Sequence, residues 1–170
     1  MFILTIIMSF MMAATAVPQP SLLDGLRQKS SDECVYVEYE FSTVISGIKT
    51  KGEGVIHIQG NSYHMSGNGV EIFCDGTSTW LIDEAAGEVM IESATSKDAG
   101  YLANPVMLLM DIEKNSLSYK AEGNKISLQL ADGIQLEIVI VEMKAEDAKK
   151  TEDFRPPYKF GSEWIVTDLR

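Results

Sequence analysis

The sequence predicts a mainly antiparallel β domain of the α+β class. Short runs in which apolar and polar residues alternate follow one another, as in half-buried strands. Turn dipeptides such as Asp75-Gly76 and Asp132-Gly133 separate these runs. An apolar segment at residues 105–110 interrupts them and is expected to be a helix, with Asn104 as its cap and Pro105 in its first turn. A chain of 170 residues suggests one domain.

The charge balance argues against a nucleic-acid partner. The formal net charge is -11 and the isoelectric point is about 4.6. Binding to phosphates requires clustered Lys and Arg, whereas the basic residues here are scattered. The acidity also disfavours charge-driven docking on an anionic membrane. It indicates either a soluble surface or an acidic patch that meets a basic partner.

The N-terminal residues predict export. Residues 1–12 are almost entirely apolar, and Ala14-Thr15-Ala16 provides the A-x-A pattern of a secretory signal peptide. We therefore expect residues 1–16 to be a signal peptide cleaved after Ala16, and residues 17–170 to be the mature domain. The alternative is a buried N-terminal helix. Export permits a disulfide between Cys34 and Cys74, although two buried free thiols are equally compatible with the sequence.

The mature chain is expected to begin with a short helix, in which Ser21 and Asp24 form a capping box. Roughly nine or ten strands in consecutive hairpins then follow, at residues 34–44, 52–59, 62–66, 70–75, 79–83, 88–92, 116–121, 125–130, 134–141 and 164–166. A sheet this wide must curl or close, and Gly52 and Gly54 indicate where a strand bends. Residues 144–153 are highly charged and predict a solvated loop or a frayed helix.

The inward strand faces are strongly apolar, and the segment at residues 105–110 adds a Met-Leu-Leu-Met block. Together they could line a cavity for acyl chains, although the pattern alone favours a filled core over a cavity. Burial in such a cavity stabilises an acyl chain by about 0.8 kcal/mol per methylene. The candidate lining residues are Val37, Tyr39, Phe41, Ile56, Ile58, Tyr63, Met65, Ile72, Trp80, Ile82, Val106, Met107, Leu108, Leu109 and Met110.

No motif in the sequence indicates catalysis. The two histidines, His57 and His64, lie on neighbouring predicted strands, but no carboxylate or thiolate at ligand spacing joins them. The sequence contains no nucleophile elbow, no phosphate-binding glycine loop and no H-E-x-x-H motif. We therefore expect no enzyme activity, no metal site and no cofactor, and an enzyme would require a polar pocket around His57 and His64. Trp80 and Trp164 are expected in the core.

The order of these elements resembles the outer-membrane lipoprotein carrier family, the LolA-like periplasmic chaperones, over nearly the whole mature chain. The strand and turn that lead to Tyr63-His64-Met65 resemble that family, as do residues 72–82 with the sequence IFCDGTSTWLI. Residues 104–109, with the sequence NPVMLL, resemble the family's lid segment, and residues 154–170, which end in WIVTDLR, resemble its C-terminal segment.

The resemblance implies a periplasmic, monomeric, non-enzymatic chaperone with the fold of an incomplete (unclosed) β-barrel, covered by a helical lid and an N-terminal helix. Such a chaperone takes acylated lipoproteins from an inner-membrane ABC transporter and delivers them to an outer-membrane acceptor. Family members often carry an Arg-Pro pair after the second strand, and the Arg holds the lid closed. This chain has Gln59-Gly60-Asn61 there, and the region after Val141 is short, which suggests a divergent branch.

Overall fold

A computed structural model describes residues 22–94, 118–129 and 133–170. The described residues form one sheet of ten strands that follows a single α-helix. The helix α1 spans Leu22–Asp32, and a short 3₁₀ helix spans Thr151–Phe154. The strands are β1 Cys34–Ile45, β2 Ile48–Gln59, β3 Ser62–Gly67, β4 Val70–Cys74, β5 Ser78–Asp83, β6 Glu88–Ser93, β7 Ser118–Glu122, β8 Lys125–Gln129, β9 Gln135–Glu146 and β10 Ile165–Asp168.

The strand order is β10-β6-β5-β4-β3-β2-β1-β9-β8-β7, so the sheet is unclosed, with β10 and β7 at its edges. The prediction of a mainly antiparallel β fold is confirmed, because every pair except β10 with β6 is antiparallel. The expected run of hairpins is wrong for β10, which pairs in parallel with β6. The predicted signal peptide and the predicted helix at residues 105–110 lie outside the described residues.

Strand register divides the sheet into two faces. Val37 of β1 lies opposite Ile56 of β2, which lies opposite Met65 of β3, and Met65 lies opposite Ile72 of β4. We call the side that carries this row the apolar face. Because side chains alternate along a strand, Tyr36 and its cross-strand neighbours lie on the other side. We call that side the ring face.

Two glycines of β2 make room for aromatic rings on the apolar face. Tyr39 is paired with Gly54, and Phe41 is paired with Gly52. A Cβ atom at Gly54 would lie 2.7 Å from the Tyr39 hydroxyl oxygen, and one at Gly52 would lie 2.6 Å from Cε1 of Phe41. The rings therefore occupy the space that side chains would otherwise fill, which gives these glycines a packing role.

A second core covers one end of the ring face. It contains the buried side chains of Phe73, Ile82, Val89 and Ile91, against which Trp80, Phe160 and Trp164 pack. Phe160 and Trp164 belong to the segment between the 3₁₀ helix and β10, so the C-terminal part of the chain seals this end of the sheet. β4 carries buried residues on both faces, whereas the buried residues of β5 and β6 lie on the ring face.

A buried carboxylate ties this C-terminal segment to the β4–β5 turn. Oδ1 of Asp75 accepts hydrogen bonds from the backbone N–H groups of Thr77 and Ser78, and Oδ2 accepts one from Nε of Arg155 at 2.7 Å. Burial alone would raise the pKa of Asp75, but these hydrogen bonds and the charge of Arg155 hold it below its ordinary value. The ion pair therefore favours the ionised carboxylate.

The secondary structure of the charged residues that follow Val141 differs in part from the prediction. The expectation of a loop or frayed helix over residues 144–153 is wrong for residues 144–146, because β9 continues to Glu146 and pairs there with β1. Residues 147–150 belong to no helix or strand, as a loop would. Residues 151–154 then form the 3₁₀ helix, whose Phe154 is 1% exposed. Pairing with a neighbouring strand satisfies the backbone of this charged stretch, so strand structure does not require apolar side chains on both faces there.

Candidate functional site

The apolar face gathers most of the candidate lining residues that the sequence predicted. All of these lie on it: Val37, Tyr39, Phe41, Ile56, Ile58, Tyr63, Met65 and Ile72. Trp80 and Ile82 do not, because both belong to the second core on the ring face. A single cavity cannot be lined by residues from both faces of one sheet. The remaining candidates, Val106, Met107, Leu108, Leu109 and Met110, lie outside the described residues.

The apolar face extends beyond the predicted set onto β8 and β9. Ile126, Leu128, Leu136, Ile138 and Ile140 are buried and belong to the same cluster, to which α1 contributes Leu26. The strand alternation of residues 125–130 and 134–141 already signalled these positions. Burial raises the pKa of the Tyr39 hydroxyl on this face to about 12, so it stays protonated. Such a face can bind apolar groups.

The ring face carries a row of rings that crosses five strands. The row consists of Tyr36, His57, His64, Phe73 and Trp80, each the register partner of the next. The rings of His64 and Phe73 stack with centroids 4.1 Å apart, and Tyr36 contacts His57 edge-on at 5.4 Å. Cross-strand pairs of this kind stabilise a sheet by about 0.2–1 kcal/mol each. We call this set the ring row.

Each histidine of the ring row contacts a carboxylate from another strand. Nδ1 of His57 lies 3.1 Å from Oε2 of Glu146, and Nε2 of His64 lies 2.7 Å from Oε1 of Glu71. The sequence has no carboxylate at ligand spacing from the histidines, and strand pairing brings one to each of them. The His57–Glu146 pair is 89 residues apart in sequence, so local spacing could not reveal it. The expected closeness of His57 and His64 is confirmed, because they are register partners.

A thiol and an ammonium group complete the surroundings of His57. Sγ of Cys34, a ligand nitrogen of His57 and a carboxylate oxygen of Glu146 all lie within 4.8 Å of one another. Nζ of Lys149 lies 3.0 Å from Nδ1 of His57 and 3.8 Å from Oε2 of Glu146. Burial, reinforced by the Lys149 charge, lowers the pKa of His57 even though Glu146 opposes the shift. The imidazole is therefore neutral at neutral pH.

The backbone beside this cluster is held by Gln59. Its side-chain amide donates to the carbonyl oxygen of Lys149 at 3.0 Å, and its Oε1 accepts from the Lys149 N–H at 2.7 Å. The next residue, Gly60, donates its N–H to the carbonyl oxygen of Ser30 in α1. The β2–β3 turn thus connects the helix to the segment after β9.

The two cysteines are free and buried. Cys34 lies on the ring face, whereas Cys74 is the register partner of Tyr63 and lies on the apolar face. A sheet separates the two sulfur atoms, so a disulfide between them would require a rearrangement of β1 or β4. Burial raises the pKa of both thiols above the ordinary value.

An open groove of about 650 Å³ lies at the other end of the sheet, over β1, β2, β7, β8 and β9. Its side chains are mainly polar and include Ser42, Lys49, Lys120 and Glu137. Val44, Tyr119, Leu128 and Leu136 also line this groove. Its charged groups make it a poorer match for an acyl chain than the apolar face. No helix among the described residues has the length and apolarity needed to cross a bilayer.

No protein-family model matches the chain, and no curated protein matches it.

Proposed function

We propose that the chain is an exported, periplasmic and non-enzymatic carrier that binds the acyl chains of lipoproteins against its apolar face and escorts them to the outer membrane. In this proposal the predicted signal peptide at residues 1–16 exports the chain. The predicted lid at residues 105–110 covers the bound acyl chain. In this proposal the carrier works as a monomer without a cofactor. It receives acylated lipoproteins from an inner-membrane ABC transporter and releases them to an outer-membrane acceptor.

The continuity of the apolar face is the observation that supports the proposal best. Aliphatic and aromatic side chains follow one another from β4 through β1 to β8. The strand order leaves the sheet open at β7 and β10, as an unclosed barrel would be. An acyl chain needs a long apolar surface and few hydrogen-bonding groups, because burial of methylenes supplies nearly all of its binding free energy.

Titration of the purified mature chain with a fluorescent fatty acid and with an acylated peptide tests this proposal. We expect saturable binding that competes between the two ligands. A polar substitution, Leu108→Gln, should weaken binding more than it weakens folding. Absence of saturable binding to both ligands would refute the carrier function.

A matched pair of variants separates loss of binding from loss of stability. Met65→Ala removes a side chain that is 4% exposed on the apolar face, and Ile91→Ala removes one that is 7% exposed in the second core. Each should destabilise the fold by about 2–5 kcal/mol. Only Met65→Ala should also change acyl affinity under conditions where both variants remain folded. Equal effects on affinity would contradict binding on the apolar face.

The second candidate function is an exported, non-enzymatic interaction module of the cell envelope with a filled core. The tight burial of the apolar face favours it, since Val35, Ile56, Ile126 and Ile138 are each 0% exposed. A filled core predicts that fatty acids neither bind nor raise the melting temperature, and that a protein partner is recovered in cross-linking from the envelope. Stabilisation by fatty acid would instead favour the carrier.

A further inference from the structure

A second site with a different chemistry lies on the ring face, away from the apolar face. Cys34 and Glu146 are register partners on β1 and β9, and His57 lies on β2, on the other side of β1. Three adjacent strands thus direct a thiol, an imidazole and a carboxylate to one point, with their ligand atoms within 4.8 Å of one another.

We propose that Cys34, His57 and Glu146 bind a divalent cation of the Zn²⁺ class. Sulfur, imidazole nitrogen and carboxylate oxygen are the protein ligands that Zn²⁺ accepts, and three of them leave a fourth tetrahedral position for solvent. The side chains of His57 and Glu146 are 22% and 29% exposed, so solvent has access from their side. Cys34 is fully buried and closes the inner side.

The position of Lys149 is independent support for a cation at this point. Its ammonium nitrogen lies 3.0 Å from Nδ1 of His57 and 3.8 Å from Oε2 of Glu146. A positive charge therefore already lies beside two of the three ligand atoms. When Nδ1 carries no proton, it accepts a hydrogen bond from this ammonium, and the same lone pair would coordinate a metal ion. The bound ion would take the place of the ammonium group.

The surroundings hold the ligands in place. The ring of His57 lies between those of Tyr36 and His64, with centroid distances of 5.4 Å and 6.3 Å. Gln59 holds the backbone of Lys149 with two hydrogen bonds, which keeps the chain after Glu146 close to β2. Because the ligands lie on paired strands, little conformational entropy is lost on binding. Coordination requires the Cys34 thiol to release its proton to solvent.

Titration of the reduced full chain with Co²⁺ tests the site, because a cobalt–thiolate bond produces a charge-transfer absorption that other ligands do not. We expect this absorption to saturate at one Co²⁺ per chain and to disappear when Zn²⁺ is added. Cys34→Ser should abolish it. Cys74→Ser, which changes the other buried thiol, should leave it intact and is the matched control.

Competition with a chromogenic zinc chelator then measures affinity in variants whose folding is checked by circular dichroism. We expect His57→Gln and Glu146→Gln each to weaken Zn²⁺ binding by about tenfold or more, since loss of even a supporting residue costs about 10–100-fold. Lys149→Met should strengthen binding several-fold, because it removes the competing ammonium.

The proposal is overturned if the wild-type chain shows no cobalt–thiolate absorption, or if Cys34→Ser retains it. Should Cys34→Ser fail to fold, the His57 and Glu146 variants decide, and unchanged affinity in both refutes the site. Weaker binding in Lys149→Met would also contradict it. None of these results depends on acyl binding, because the apolar face lies on the opposite side of the sheet.

Discussion

The fit between Tyr39 and Gly54 gives the sharpest stability prediction. In Gly54→Ala, the new methyl carbon would lie 2.7 Å from the Tyr39 hydroxyl oxygen, 2.8 Å from its Cζ and 3.1 Å from the backbone oxygen of Ser66. Carbon atoms in contact prefer about 3.5–4.0 Å, so the ring has to shift by about 1 Å. Tyr39 is 2% exposed, and a close-packed protein interior leaves its ring little room to move.

The expected loss of stability follows from two opposing effects. Overpacking of a well-packed core costs about 1–3 kcal/mol. Replacement of glycine by alanine at an ordinary backbone conformation stabilises a protein by about 0.4–1 kcal/mol, because alanine lowers the conformational entropy of the unfolded chain. We therefore expect Gly54→Ala to lower the free energy of unfolding by about 1–2 kcal/mol, the balance of these two effects. Urea unfolding followed by circular dichroism measures it, with an unchanged m-value.

Two further variants test the cause. In the background Tyr39→Leu, which removes the ring, the alanine should cost less by about 1 kcal/mol or more, and this difference is the coupling that the double-mutant cycle measures. Gly25→Ala in α1, where a methyl group meets nothing within 4 Å, should instead stabilise the chain by about 0.5–1 kcal/mol. A Gly54→Ala variant as stable as the wild type would refute the packing argument.

Two other predictions concern the C-terminal segment. Asp75→Asn should lower stability at neutral pH by about 1–3 kcal/mol. Because the pKa of Asp75 is lowered in the folded state, its contribution exists above the ordinary value of about 4 and disappears as the pH falls through the folded pKa. Urea midpoints across this range should therefore converge for the two proteins, and a constant difference would argue against the ionised carboxylate. Phe154→Ala should cost about 3–5 kcal/mol; a thermal scan that finds no loss would contradict its burial.

The strands and their faces were predictable wherever one side of a strand is polar. Val35, Val37 and Tyr39 alternate with Tyr36 and Glu38, and the structure confirms that alternation. The prediction failed at β5, where Trp80 and Ile82 were assigned to the same cavity as Ile72. Residues 72–74 and 80–82 are apolar on both faces because the C-terminal segment covers the ring face there, and a local pattern cannot show which face receives which side chain.

The group of Cys34, His57, Glu146 and Lys149 could not be predicted from sequence spacing, for a different reason. Its members come from three strands and a following segment, and His57 is 92 residues from Lys149. The charges at residues 144–146 indicate a loop when they are considered alone, because nothing local shows that β1 pairs with them. Only the long-range register between β1 and β9 brings Glu146 to Cys34.

That register depends on one extra residue in β9. Tyr39 pairs with Ile140, but Glu38 pairs with Glu142, so Val141 bulges out and is 54% exposed. In a regular ladder without the bulge, every side chain after Ile140 would point to the opposite side of the sheet. Met143 would then leave the apolar face, and Glu146 would turn away from His57. A single unpaired residue therefore determines to which side of the sheet the later side chains of β9 point. It allows β9 to supply apolar packing on one side and a metal ligand on the other.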